Sequence, residues 1–368
     1  MSKQVYIVAA KRTPFGAFGG KLKNMTATQL CTLSSKSALA SGKVDPSLVD
    51  SVFVGNVAQT SMDAAYISRH VQLSCKIPIE VPALTINRLC GSGFQSVING
   101  FQDILLGDSS ISLCAGAENM SQSPLSVYGH DARFGIPLGN GMNLQDTLWS
   151  ALTDHHIQTP MGMTAENLAS KYNITRQECD TFALRSQMLW KEANLAGNFT
   201  AEMSPIELKI KGQVVVMETD EHPREVSLEK MGKLTSVFKK GGTVSAANAS
   251  GICDGAGSIL LASEEAIKEH NLVPMCRIVS YGIAGVDPSI MGIGPVPAIQ
   301  QALKKANLTI EDMDRIEINE AFAAQFLVSY WNNMYLILCI INRLVKKNLD
   351  LIWILPIRMV KIESSNLY

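Results

Sequence analysis

Cysteine chemistry is the first possibility the sequence raises. Cys90 lies in the run Leu84-Thr85-Ile86-Asn87-Arg88-Leu89-Cys90-Gly91-Ser92-Gly93. An apolar, strand-like segment precedes the thiol. Small residues follow it at once, so nothing bulky blocks the sulfur. Phe94, Val97, Ile98, Phe101, Ile104 and Leu105 then recur at helical spacing, which predicts a helix over 94–106. A cysteine at such a helix start faces unpaired backbone N–H groups and the positive end of the dipole. Both favour thiolate, the nucleophilic form. The competing reading is a buried structural cysteine at a tight strand–helix junction. The other seven cysteines form no CxxC pair and no Cys/His cluster, so neither a metal site nor a disulfide framework is signalled. Reduced thiols in an intracellular compartment are expected.

The elements around Cys90 read as α/β. Val5–Ala10, Ser51–Val57 and Ile111–Ala115 have strand texture, and 28–41, 64–73 and 94–106 have helical texture. This alternation predicts a layered α/β fold. From about Asn119 to Gly242 the chain becomes more polar and richer in Met and loop signals. It contains an amphipathic helix over 175–196, opened by a capping box with Glu178 three residues after Thr175. This segment reads as an insert covering a site. Core texture returns at Thr243–Ser263.

With 368 residues, 46% of them apolar, the chain is long enough for two or three packed domains. The net charge of −1 gives no electrostatic case for nucleic acid or an anionic membrane surface. Met1 leads directly into the strand-like Val5-Tyr6-Ile7-Val8, without a secretory or Arg/Ser-rich leader. No apolar run approaches the roughly 20 residues of a membrane span.

The chain matches itself at an offset of 264 residues. Ala38-Leu39 aligns with Ala302-Leu303, Val44 with Leu308, Asp50 with Asp314, and Val52 and Val54 with Ile316 and Ile318. Each copy reads as helix, polar turn, short helical turn and strand, which points to a duplicated unit. Chance likeness between two common helix–turn–strand units is the alternative. The position equivalent to Cys90 in the second copy is Ile354, in a segment without glycine or a catalytic side-chain type. After Leu327 the composition changes: 328–368 holds no Gly, Ala or His but two of the four Trp, and Met334–Ile341 is a β-prone apolar run. Translated AT-rich, non-coding DNA has this composition.

Several motifs in order resemble the thiolase family. They are Val8-Ala9-Ala10-Lys11-Arg12-Thr13-Pro14-Phe15-Gly16, Asn87-Arg88-Leu89-Cys90-Gly91-Ser92-Gly93, Gly116-Ala117-Glu118-Asn119-Met120-Ser121, Met163-Thr164-Ala165-Glu166-Asn167, Asn248-Ala249-Ser250-Gly251 and Asn319-Glu320-Ala321-Phe322. The resemblance runs from about Val5 to Leu327. It is strongest to the mitochondrial 3-ketoacyl-CoA branch that serves fatty-acid β-oxidation. It implies a duplicated α/β/α/β/α fold with the second half incomplete. An N-terminal domain would span 1–270, with its core at 1–119 and 243–270 and a covering insert at 120–242. Residues 271–327 would begin the C-terminal domain, and 328–368 would form a non-family tail.

By that resemblance Cys90 is the acyl-accepting nucleophile, and Asn319 holds a water in the hole for the enolate oxygen. Ser250 contacts the pantetheine arm of CoA, Arg224 and Ser227 lie on its nucleotide side, and Met161 lines the channel. Pro160 stands where short-chain enzymes of the family tend to carry a His, which tilts preference to longer acyl chains. The implied substrates are CoA and 3-ketoacyl-CoA, with no permanently bound cofactor and no metal. The implied assembly is a homodimer or tetramer, without nucleic acid or membrane, in the mitochondrial matrix or alternatively the cytosol. Two family motifs have no match: the Gly-His-Pro loop that activates the cysteine, and a Cys-x-Gly whose Cys is the acid/base. The last His is His270 and the last Cys is Cys339. The chain is therefore expected to be inactive or impaired, with a non-catalytic acyl-CoA-binding form or an acetoacetyl-CoA thiolase as alternatives.

Overall fold

The computed structural model describes residues 3–334. The strands in chain order are β1 (Val5–Arg12), β2 (Gly16–Ala17), β3 (Ser51–Gly55), β4 (Ala83–Ile86), β5 (Ile111–Asn119), β6 (Leu125–Ser126), β7 (Gln145–Asp146), β8 (Thr153–Asp154), β9 (Thr159–Pro160), β10 (Ile206–Ile210), β11 (Gln213–Met217), β12 (Cys253–Ser263) and β13 (Cys276–Arg277). The helices are α1 (Ala27–Gly42), α2 (Ile67–Ser74), α3 (Ser92–Leu106), α4 (Gly129–Ala132), α5 (Thr147–Ala151), α6 (Met161–Tyr172), α7 (Arg176–Leu195), α8 (Leu228–Gly232), α9 (Glu264–Glu269), α10 (Pro295–Ala306) and α11 (Ala323–Met334).

One mixed sheet organises the first half, in the order β13-β1-β12-β5-β3-β4, with β2 added on β12. β3 runs parallel to both β4 and β5, while β12 is antiparallel to β5 and β1. Both faces are covered, so the strands read as nearly continuous apolar runs. Alternate side chains serve different layers. Val52, Val54, Leu113 and Leu260 join the core beneath α1 and α2. Phe53, Cys114, Ile259 and Leu261 join Val97 and Ile104 of α3 on the other face.

The first turn of α3 lies very close to the sheet, and glycines make that possible. A Cβ on Gly55 would stand 2.4 Å from the Ser92 carbonyl carbon, and one on Gly116 would stand 3.1 Å from the Gly93 Cα. The loop before α3 is thereby pressed onto the ends of β3 and β5.

A third core, Leu168, Ala169, Ile174, Cys179, Ala323, Ala324 and Val328, joins α6, α7 and α11. Helix α11 runs unbroken across Leu327–Val328, and the Ser329 hydroxyl donates to the Gly292 carbonyl at 3.1 Å. The change of composition after Leu327 therefore falls inside a packed helix. Residues 335–368, with Cys339, Trp353, Ile354 and most of the β-prone run, lie outside the described residues.

The duplicated unit is found in part. α1 ends on Lys43 in the left-handed region and is followed by a 3-10 turn at Pro46–Leu48 and then β3. α10 ends on Asn307 in the same conformation, followed by a 3-10 turn at Ile310–Asp312. The strand expected over Ile316 to Ile318 is not formed among the described residues. A strand needs a hydrogen-bonding neighbour, and no described strand lines up with it. The second sheet of the expected five-layer arrangement is likewise not seen among the described residues. No described helix is long and apolar enough to cross a membrane.

Candidate active site

Cys90 sits between edge strand β4 and α3, two residues before the helix begins, and it is exposed. Its loop is tightly made. The Leu89 N–H donates to Asn87 Oδ1 at 3.0 Å, and the Arg88 N–H donates to Ser92 Oγ at 2.8 Å. The Ser92 hydroxyl donates in turn to the Leu89 carbonyl at 2.6 Å. Leu89 takes φ +46°, a left-handed conformation uncommon for a bulky residue. Backbone strain of this kind gathers at functional sites, and here it turns the chain so that Cys90 faces outward.

The electrostatics depart from the sequence expectation. Although Cys90 is open to solvent, crowding by the protein desolvates its sulfur and raises the thiol pKa. The loop's own backbone hydrogen bond opposes this, and the charge of Glu118 adds to it. Helix α3 begins at Ser92 with Gly91 as its cap, two residues earlier than the apolar spacing predicts. The nearby Glu118 carboxylate was not singled out as a site residue. It accepts from Asn56 Nδ2, the Val57 N–H and the Ala58 N–H, each at 3.0 Å. Burial lifts its own pKa against those bonds. The buried thiols form a contrast: Cys31 is pushed up to about 12 by burial, as a structural cysteine should be.

The structure joins two other motifs directly. The Ser250 N–H donates to the Ala321 carbonyl at 2.9 Å, and the Ala323 N–H donates to the Asn248 carbonyl at 2.9 Å. Ser250 and Asn319 are both exposed on these zipped segments. Beside them, Glu317 is lifted to about 7 by burial and by the charges of Glu202 and Glu320. The Glu320 carboxylate accepts from the Ser186 hydroxyl of α7 at 2.6 Å.

Arg224 is exposed, and its backbone N–H donates to Gln187 Oε1 at 3.0 Å. Ser227 caps α8, its hydroxyl accepting from the Lys230 N–H at 3.4 Å. Met161 opens α6 after the Pro160 cap and is half-buried. His222 was also overlooked. Its ring packs against Gly251, where a Cβ would stand 2.4 Å from the imidazole, and its Nε2 is buried without a hydrogen-bond partner. Among the described residues, no hydrogen bond ties the Cys90 loop to the Ser250 or Asn319 segments. No group of three or more His, Cys, Asp and Glu residues there could hold a metal.

The arrangement offers an accessible thiol on a tightly made loop, the nucleophile a covalent acyl-transfer site requires. Two family models match the chain: the thiolase N-terminal domain over residues 5–265 and the thiolase C-terminal domain over 272–342. The mouse (Mus musculus) protein named 3-ketoacyl-CoA thiolase, mitochondrial, is 58% identical over 324 residues, covering 88% of this chain and 81% of the relative. The crystal structure of human mitochondrial 3-ketoacyl-CoA thiolase superposes with TM-score 0.87 at 56% identity, covering 90% of this chain and 83% of that one. The same human enzyme solved in complex with CoA also gives 0.87, at 57% identity, covering 90% and 82%.

Proposed function

The chain belongs to the thiolase family, and from that premise we propose that it carries out the 3-ketoacyl-CoA thiolase reaction with slow turnover. The Cys90 thiolate attacks the 3-keto carbon of a 3-ketoacyl-CoA. The C2–C3 bond breaks, and its electron pair forms the enolate of acetyl-CoA while the acyl group stays on sulfur. A proton on C2 then completes acetyl-CoA. The thiolate of a second CoA attacks the acyl-Cys90 thioester, and acyl-CoA leaves. Dividing the exchange through a thioester replaces one difficult step by two accessible ones.

Asn319 would hold the water that meets the enolate oxygen, a form of electrostatic stabilisation that usually dominates such steps. Ser250 would take the pantetheine arm, Arg224 and Ser227 the nucleotide side, and Met161 the channel wall. The single observation that carries the reading is the exposed Cys90 on its strained loop, inside a motif of the matched family.

Slow turnover follows from the raised Cys90 thiol. Desolvation and the charge of Glu118 disfavour its thiolate form. The same reading gives a homodimer or tetramer and residence in the mitochondrial matrix; the name of the mouse relative states that that protein is mitochondrial. The domain division at 270 and the boundary at Leu327 are part of the proposal.

The test is intact-mass spectrometry of the chain after incubation with acetyl-CoA or a long-chain 3-ketoacyl-CoA, beside an acetoacetyl-CoA thiolysis assay. Acylation that disappears in Cys90→Ala, with thiolysis rising when the family's Gly-His-Pro and Cys-x-Gly segments are appended, is the expected result. Thiolysis equal in both forms would overturn slow turnover. Absence of any adduct, with CoA still bound, would favour the non-catalytic binding form.

A further inference from the structure

We propose that the Arg176–Asp180 pair of α7, with Asp180 buried and Arg176 half-buried, is a positioning unit that sets the CoA-contacting segments relative to the Asn319 segment; this rests on the thiolase reading. Neither residue belongs to the motifs that identify the family, and neither side chain contacts Cys90. What singles them out is where every one of their hydrogen bonds goes.

Asp180 is 4% exposed. Its carboxylate accepts from Arg176 Nε at 3.0 Å on Oδ1 and 2.9 Å on Oδ2, and from Asn248 Nδ2 at 2.7 Å on Oδ1. The rest of the Asn248 amide is committed to its own loop. Nδ2 also donates to the Thr243 carbonyl at 2.9 Å, and Oδ1 accepts from the Ser245 N–H at 2.8 Å. That fixes the turn 243–248 and hence the direction in which the chain enters Ser250. The Asn248 carbonyl and the Ser250 N–H then hold 321–323, two residues past Asn319.

The other end of the pair reaches a separate segment. Arg176 Nη2 donates to the Met231 carbonyl at 2.8 Å, in the last turn of α8, and to the Leu234 carbonyl at 3.0 Å, just past the helix end. Ser227 caps the opposite end of that five-residue helix. One ion pair thus spans α8 with Ser227, the loop with Ser250, and through that loop the segment with Asn319. These segments meet only in space, drawn from positions 176–180, 227–234, 243–250 and 319–323.

A purely stabilising role is a poor account of this arrangement. Desolvating two charges largely cancels their attraction, and well-packed apolar residues do as well or better. The gain lies in geometry. A guanidinium fork and a carboxylate impose fixed directions on the groups they bind. CoA is long and touches both segments in the proposed mode, so a shift of one against the other costs binding along the whole arm.

The experiment uses the full chain and its Arg176→Lys, Asp180→Asn and double variants. CoA binding is measured by calorimetry, and Cys90 alkylation by iodoacetamide is measured without CoA. Arg176→Lys keeps the charge but cannot span both carbonyls and the carboxylate. Asp180→Asn keeps the shape and one acceptor oxygen. Each single variant is expected to raise the CoA Kd about tenfold, the scale of one lost charge-assisted bond. The double variant should add little, because the residues act as a unit. The alkylation rate should stay within about twofold, since the Cys90 loop is built by β4 and α3. An unchanged Kd in soluble variants overturns the proposal. So does a Kd that rises only together with altered alkylation, which reports general loosening. If Asp180→Asn does not fold, Arg176→Lys alone decides. Failure of the unsubstituted chain to bind CoA would instead refute the thiolase reading itself.

Discussion

At the scale of single residues, Cys90 is shaped by two opposing influences. Its loop presents it outward, while desolvation and the charge of Glu118 hold the proton on sulfur. Glu118 is fixed in place by Asn56 and the 57–58 backbone, so its charge cannot swing away. Glu118→Gln keeps an acceptor for part of that clamp and removes the negative charge. Without the repulsion the thiolate is favoured. Cys90 alkylation at pH 8 should then rise about threefold or more, and the midpoint of its pH profile should move down. A profile that stays in place, measured with iodoacetamide from pH 6 to 10, would show that desolvation alone sets the thiol. Cys90 itself was legible because a thiol flanked by glycines at a strand–helix junction is written in contiguous residues. Glu118 was not, although it lies within the Gly116–Ser121 motif. Its influence depends on the parallel register of β3 with β5, where Gly55 faces Gly116, and no local pattern reports that register. The direction of the Cys90 shift was misread for a related reason. The desolvation and the Glu118 charge that raise the thiol come from residues packed around it and not from the Cys90 motif itself.

Among the elements, the helices were the most legible, since their start signals are local chemistry. Thr175 and Glu178 form the reciprocal capping box, with the Thr175 N–H donating to Glu178 Oε2 at 2.8 Å and the Glu178 N–H to Thr175 Oγ1 at 3.2 Å. Thr175→Ala should cost about 1 kcal/mol of stability in urea unfolding. Because α7 carries Arg176 and Asp180 immediately after this cap, fraying should also weaken CoA binding. Stability lost with CoA affinity intact would separate the cap from the site. The close seat of α3 leads to a sharper expectation. Gly55→Ala places a methyl 2.4 Å from the Ser92 carbonyl carbon, backbone that cannot rotate aside. Overpacking of this sort costs about 1–3 kcal/mol, and here the strain falls on the Cys90 loop. Acylation of Cys90 should therefore drop more than the unfolding midpoint alone implies; an acylation rate equal to that of the unsubstituted chain would disprove the coupling. Strands were less legible. Ile316 and Ile318 alternate as well as Val52 and Val54 do, but only the latter have neighbours to pair with among the described residues. Alternation records a face, whereas a strand also requires an edge to join.

Over the whole molecule, a cluster of buried and half-buried carboxylates links the first sheet, the segment 202–220 and the beginning of the second half. Arg12 of β1 is 3% exposed and donates to Glu202 at 2.5 Å and to both oxygens of Asp220 at 2.8 and 3.1 Å. The charge of Glu202 also acts on Glu317, two residues before Asn319. The sequence had no means of showing that positions 12, 202, 220 and 317 converge, because each lies in a different segment and only packing unites them. The consequence is a pH dependence of stability whose sign is fixed. Glu317 has its pKa lifted to about 7 in the folded chain, against about 4.3 for an unfolded glutamate. The native state therefore binds this proton more tightly. Its stabilising contribution is fully present below about pH 4.3 and is lost as pH rises through about 7. Glu317→Gln mimics the protonated form and does not ionise. It should match the unsubstituted chain at pH 4.5 and exceed it in melting temperature at pH 8, with the difference opening between those values. Arg12 and Asp220 flank Glu202 throughout, so a variant that removes their charges instead should not reproduce this opening. An equal offset at both pH values would mean that Gln alters packing rather than proton binding. The carboxylate cluster would then be a static joint, with no protonation linking the insert to the segment that carries Asn319.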